Sequence, residues 1–292
     1  MHPAPSVIIF TVCSGLGFGL LAWLGFGANN PTGLIAFTFF FIAYALAIGG
    51  LLASLFHLGN PQRFLKAFSQ WKTSWLSREA WLSVAALCVM GLYAIGAIFF
   101  DAHIRALGVI GGFLSLATVA ATSMIYAQLR TVPRWNHWTT PALFVVSSVA
   151  GGALLAGKVQ IAGVLLFLLG AVMVANWILG DQRFAASGTD IGTATGLGKL
   201  GKVRLFEAPH TGGNYLLREM VFVVGRKHAA KLRVISIACA SILPAIILLL
   251  TPAGHIGALL AVLLHLVGAF AARWLFFAQA EHVVGLYYGK RT

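Results

Sequence analysis

The chain has 292 residues, of which 59% are hydrophobic and only 9% charged, and its mean hydropathy is +0.89. That composition excludes an ordinary water-soluble domain and points to a polytopic helical membrane protein. The formal net charge of +13 does not indicate nucleic acid, because the basic residues sit in short loops beside apolar runs, which is the ordinary topological signal of a membrane protein.

Apolar runs of about twenty residues, the length that crosses the hydrocarbon core, lie at 7–27, 33–56, 80–100, 104–129, 140–156, 160–179, 234–250 and 255–278. The first has no basic segment before it and no small-residue cleavage pattern after it, so it reads as a span and not as a cleaved signal. The sequence therefore predicts one all-α membrane domain over 1–292, a bundle of eight transmembrane helices. Pro244 falls inside the seventh span, where a proline is tolerated if neighbours satisfy the carbonyl it frees. Gly111-Gly112 and Gly151-Gly152 predict close helix contacts through small residues. Cys13, Cys88 and Cys239 lie in separate apolar runs without paired spacing. They read as core packing residues, not as a disulfide framework or cluster ligands, and no metal site is expected.

With eight spans, both termini share a side with the second, fourth and sixth connections. The opposite side then carries Arg105 and Lys158, Arg273 lies within the last span, and every other Lys and Arg falls on the side of the termini. This bias predicts an N-in, C-in topology. The one long connection, about 181–233, begins with a Gly/Thr-rich stretch and ends in alternating apolar and basic residues. Asn214 is placed to cap an interfacial helix with Tyr215, Leu216, Met220 and Val223 on its apolar face. The basic residues Arg226, Lys227, Lys231 and Arg233 then face either anionic headgroups or a docked partner.

The densest chemistry lies at 56–79, FHLGNPQRFLKAFSQWKTSWLSRE. His57 closes an apolar run, Gly59-Asn60-Pro61 stops the helix, and Glu79 stands where the next run begins. An ionisable group at the edge of a span is costly and is a functional hypothesis by default, while the bland alternative is a basic loop that anchors helix ends by snorkelling. His57 titrates near physiological pH and a desolvated Glu79 moves toward the same range, so the two suit a proton relay of the kind a quinone headgroup needs. Arg63 is placed to hold the carboxylate or polarise a carbonyl. Trp71 and Trp75 are candidate walls for the ring, although aromatics at this depth commonly belong to the interfacial belt.

HLGNPQR with AFSQWKTSWLSRE, TVPRWNHWTTP at 131–141 and RWLFFAQAEHVVGLYYG at 273–289 resemble blocks of the DMSO reductase membrane-anchor subunit family, and the resemblance covers essentially the whole chain. EAPHTGGNYLLREM (207–220) and RKHAAKLR (226–233) are most similar to its sulfite dehydrogenase branch. The resemblance implies a quinone site at His57 and Glu79, with Arg63 matching a family arginine. It also implies ubiquinone or menaquinone as the electron acceptor and a bacterial cytoplasmic membrane, with site and partners on the cytoplasmic side. The implied partners are a four-cluster iron–sulfur subunit and a molybdopterin catalytic subunit, which carry the cofactors that this chain has no motif to bind. The implied function is sulfite oxidation coupled to ubiquinone reduction, with an anchor for quinol-driven reduction of an S- or N-oxide or polysulfide as the alternative. One departure is Ala269, where other anchors have an acidic residue four positions before the last-helix arginine. Arg273 remains, and requires a buried partner such as Glu281, Glu79 or a bound quinone.

Two readings of other classes are weaker. A small-anion secondary transporter would carry internal repeats and ionisable residues at the midplane, and here those residues gather at one face. A bis-histidine haem b needs axial histidines facing each other across the bundle. Only His265 lies deep in a span, where a histidine is more often a hydrogen-bonded core residue, so haem is not favoured.

Overall fold

The computed structural model describes residues 1–207, 212–221, 228–251 and 254–289. The elements are α1 (Pro5–Gly25), α2 (Gly33–Ala53), α3 (Trp75–Phe99), α4 (Arg105–Ala127), α5 (Thr139–Leu155), α6 (Val159–Ala186), α7 (Ile191–Thr195), α8 (Tyr215–Glu219), α9 (Ala229–Leu250) and α10 (His255–Ala278). All but α5, α7 and α8 are long and apolar enough to cross a membrane. The 17-residue α5 is apolar and packs within the bundle. Leu34, Phe41, Leu92, Phe113, Val164 and Leu263 are exposed on the outer faces, as expected where lipid replaces water as the solvent.

Helix α1 is the axis, packed against α2, α4, α5 and α10. Lipid tails are as apolar as leucine, so helices in a membrane associate through close packing and not through a hydrophobic drive. The small residues of α1 permit that packing on several sides. A Cβ at Gly17 would overlap the backbone of Ala43 and Ala47 in α2, one at Gly19 the backbone of Ser148 in α5, and one at Gly25 the carbonyl of Gly108 in α4. Of the expected glycine pairs, only Gly152 makes a direct backbone approach, to Gly19. Gly111 instead receives the Met90 side chain, Gly112 the Phe26 ring, and Gly151 faces Leu16 and His265.

Several expectations change. The third span starts at Trp75 and not at residue 80, so Glu79 lies one turn inside α3. The sixth continues to Ala186. The long connection is broken into α7, a 3-10 turn at Gly198–Leu200 and the short α8, whose Asn214 side chain accepts the Leu217 N–H at 2.9 Å as a cap. Tyr215 is exposed, off the apolar face expected of it, and Val223 lies outside the described residues. Cys88 is exposed on α3 and is not a core residue; Cys13 and Cys239 are half-buried.

Pro244 shapes α9. In a regular helix the carbonyl of Ala240 would accept the N–H of residue 244, which proline lacks. The helix widens into a π turn at Ala238–Ile242, and His265 of α10 supplies a donor to Ala240 at 2.7 Å. Gly268 makes this geometry accessible, because its missing Cβ lets α10 lie directly on the backbone of Cys239 and Ala240.

The backbone contact at Gly19 predicts a sharp difference between two equal substitutions. Gly19→Ala should destabilise by about 1–3 kcal/mol, as overpacking of a filled core does. Gly49→Ala, where a Cβ meets nothing within 4 Å, should leave thermal unfolding in detergent unchanged or slightly raised.

Candidate functional site

Helix α2 ends in a 3-10 turn, Ser54–His57, and a second 3-10 segment, Pro61–Phe68, leads into the loop before α3. The fixed φ of Pro61 and its missing N–H suit it to the start of that segment. The loop is pinned to α3 by residues in the first turns of that helix. Arg78 donates to the carbonyls of Trp71 (3.0 Å) and Lys72 (2.7 Å) while lying 4.4 Å over the Trp75 ring. Trp81 donates to the Phe68 carbonyl at 3.0 Å, and the Ser77 hydroxyl bonds the Ala67 carbonyl. Trp75 is thus engaged with Arg78, and Trp71 is exposed with Lys72 over its ring. Both hold or edge the loop in this conformation.

His57 and Arg63 are exposed, whereas Glu79 is only 4% exposed. Among the described residues no hydrogen bond or ion pair joins His57 or Arg63 to Glu79. The loop and the acid therefore share one rim of the bundle, but the carboxyl points inward. The Thr122 hydroxyl of α4 lies 2.5 Å from Glu79 Oε1 and 3.0 Å from the Thr118 carbonyl. A hydroxyl is both donor and acceptor, so this geometry serves either protonation state. Ionised, Glu79 accepts from Thr122; protonated, it donates to Thr122, which turns its own hydrogen to Thr118. A buried acid whose partner accommodates both states is equipped to give and take a proton.

One turn beyond Thr122 on α4, the Tyr126 ring packs edge-on against Trp135 at 5.4 Å and Phe276 at 5.6 Å. Arg273 is 7% exposed, its guanidinium 3.6 Å over the Phe144 ring and 5.5 Å from Phe276. Among the described residues no carboxylate is ion-paired with it, and its Nη1 has no protein partner. An aromatic face favours a cation but offers no acceptor to Nη1. Arg273 and Thr122 line the same interior cavity, so among the described residues a guanidinium without a carboxylate partner lies on the side of Thr122 away from the rim loop.

The block at 131–141 is used by the fold. Trp135 stacks on Phe276 at 5.2 Å and donates to its carbonyl at 3.0 Å, Asn136 donates to the Ala127 carbonyl at the end of α4, and Thr140 donates to the Trp135 carbonyl. Arg134 pairs with Asp181. Arg233, expected on a docking surface, is tied to the same Asp181 at 2.6 Å and lies 5.6 Å over Trp177, which fixes it within the bundle's end. Lys231 is exposed; Arg226 and Lys227 lie outside the described residues.

Sequence reasoning missed Thr122 and Tyr126. The signal was present as a buried polar stripe at helical spacing in an apolar span, Ser115, Thr118, Thr122 and Tyr126; such a stripe marks the face turned to the bundle interior.

Fold and site define a class, a helical membrane subunit with a buried protonatable group at one rim. Residues 1–181 match the family model described as DMSO reductase anchor subunit (DmsC). The chain is also 30% identical, over 325 aligned positions covering 99% of both proteins, to a sulfite dehydrogenase subunit of Allochromatium vinosum. The chain belongs to the DMSO reductase anchor subunit family: it is a membrane anchor subunit of a complex of the DMSO reductase type.

The Thr122 contact predicts an order of stabilities. Glu79→Gln keeps a hydrogen-bonding group beside Thr122 and should stay within about 1 kcal/mol of the parent. Thr122→Val strips the acid of its partner and should cost about 1–3 kcal/mol, the range for a buried polar group left unserved. Thermal unfolding of the purified protein in detergent checks the order, and equal losses would show that the contact carries no weight.

Proposed function

We propose that this chain is the quinone-reactive anchor of a sulfite-oxidising molybdenum complex. In the catalytic partner sulfite and water become sulfate, two protons and two electrons. An iron–sulfur partner, expected to hold four clusters, passes the electrons on. At the anchor, ubiquinone takes up two electrons and two protons and leaves as the quinol.

The observation that carries this reading is the buried Glu79 with a partner suited to both of its protonation states. Glu79 gives its proton to a quinone oxygen, and the uncompensated charge of Arg273 stabilises the carboxylate that remains. His57, exposed at the mouth, exchanges protons with water, and Arg63 holds the quinone headgroup by its carbonyl oxygen. Trp71 edges the entrance. The name of the Allochromatium relative supports sulfite as the partner's substrate, and the family description keeps quinol-driven DMSO reduction as the reading to be tested against it.

The charge distribution supports the placement. With α5 taken as an eighth span, the excess of basic residues in the loops supports a cytoplasmic side for both termini, the site and the partners. Lys231, with Arg226 and Lys227, is then available to steer an acidic face of the iron–sulfur subunit toward the quinone.

Purified complex should reduce ubiquinone with sulfite. Glu79→Gln should lower turnover at least about tenfold, as loss of a positioned acid does, while the subunits remain assembled; Arg63→Ala should chiefly raise KM for quinone. Activity only as quinol-dependent DMSO reduction would overturn the substrate, and wild-type turnover in Glu79→Gln would overturn the site. For orientation, a cysteine introduced at Lys158 should react with an impermeant thiol reagent in intact cells and one at Lys72 should not; the reverse pattern would invert the topology.

A further inference from the structure

At the centre of the bundle, α1, α4, α5, α6, α9 and α10 enclose a cavity that includes Thr11, Ser14, Thr122, Ser148, His265 and Arg273 in its wall. Its free volume of about 50 Å³ is room for a few water molecules, each of which needs roughly 10–15 Å³. None of His57, Arg63 and Glu79 lines it, so the cavity is distinct from the headgroup site proposed at the rim.

The polarity of the wall identifies the occupant. Thr11 donates to the Val7 carbonyl, Ser14 to Phe10 and Ser148 to Gly15, so these hydroxyls have spent their hydrogens and offer only lone pairs. His265 is constrained in the same sense. A carbonyl can only accept, so the 2.7 Å contact with Ala240 puts the ring hydrogen on Nδ1 and leaves Nε2 as an acceptor. Pro244 is the origin of that contact, since it removes the N–H that would have served Ala240. His265 is only 3% exposed, and its Nε2 has no protein partner among the described residues. Arg273 Nη1, equally without a protein partner there, contributes a cationic donor to the same wall.

An inorganic anion would satisfy Arg273 but meet lone pairs at Nε2 and the hydroxyls, and an apolar molecule would satisfy neither. Water donates to Nε2 and accepts from Nη1. We propose that this cavity is a built site for a small water cluster, held between His265 and Arg273. The two residues lie eight positions apart on α10, roughly 12 Å along the axis, a span that two or three waters bridge. The cluster hydrates the buried guanidinium and reaches the Thr122 hydroxyl, the partner of Glu79, so His265 acts as a positioning residue for the Arg273 charge. The cavity ends at mid-bundle, where Gly19 and Gly152 are in backbone contact and Leu16 with His265 fills the space beside Gly151. Only its relevance to Glu79 chemistry rests on the quinone reading; the water site itself does not.

Pulsed hydroxyl-radical footprinting of the intact complex, which oxidises side chains next to bound water, tests the site without any turnover. Met173 lines the cavity, whereas Met90 packs against Gly111 away from it, and the two are 2% and 0% exposed. Met173 should be oxidised at least about fivefold faster than Met90. His265→Phe, which fills the space and removes the acceptor, should bring Met173 down to the Met90 rate. His265→Gln, whose amide can donate to Ala240 and still accept from water, should preserve the difference and guards against a folding artefact. Equal rates for the two methionines in the wild type, or an unchanged difference in a folded His265→Phe complex, would overturn the proposal. Because the readout needs no quinone, loss of the quinone reading would leave these outcomes intact.

Discussion

The architecture depends on the close backbone approach of α1 to its neighbours. With no hydrophobic drive between helices in lipid, an axis that touches four others must gain its stability from contact distance, and the small residues of α1 provide it on separate faces. Gly17 serves α2, Gly19 serves α5 and Gly25 serves α4. This arrangement turns the polar stripe of α4 inward and brings it against α3 and α10. The depth at which Glu79 meets Thr122 follows from that packing.

A second constraint works inside the first. In hydrocarbon each backbone group must be satisfied by protein or trapped water, so one residue's defect becomes another's function. Pro244 removes a donor, α9 opens into a π turn, and His265 takes over the exposed carbonyl. The same bond decides which imidazole nitrogen faces the central cavity. A helix irregularity thereby sets the polarity of an interior site on the neighbouring helix.

The charges divide into two groups with different duties. Arg78, Arg134 and Arg233 are consumed in holding loops and helix ends through carbonyls, Asp181 and tryptophan faces. Among the described residues Arg273 is spent on no such bond and sits over an aromatic face, where its charge acts on its surroundings. In a chain with seven acidic residues among 292, a buried carboxyl and a guanidinium without a carboxylate partner, facing the same interior, are the features that set this subunit's chemistry apart from its scaffold.

The sequence by itself determined the membrane class, the positions of the apolar runs and the prominence of the His57–Glu79 segment, because hydrocarbon thickness and the cost of buried charge act on local sequence. It also marked the family through separated blocks. Only the tertiary structure decided that Glu79 bonds Thr122 and neither His57 nor Arg63, that Arg233 pairs with Asp181, and that His265 and Arg273 face one cavity. Those outcomes depend on which helix faces meet, and helix facing is set by glycine contacts between residues far apart in the chain, such as Gly19 with Gly152 and Gly268 with Ala240. The apolar pattern of a span records that a helix is buried in lipid, but its nearly uniform hydrophobicity leaves the direction of each side chain to packing.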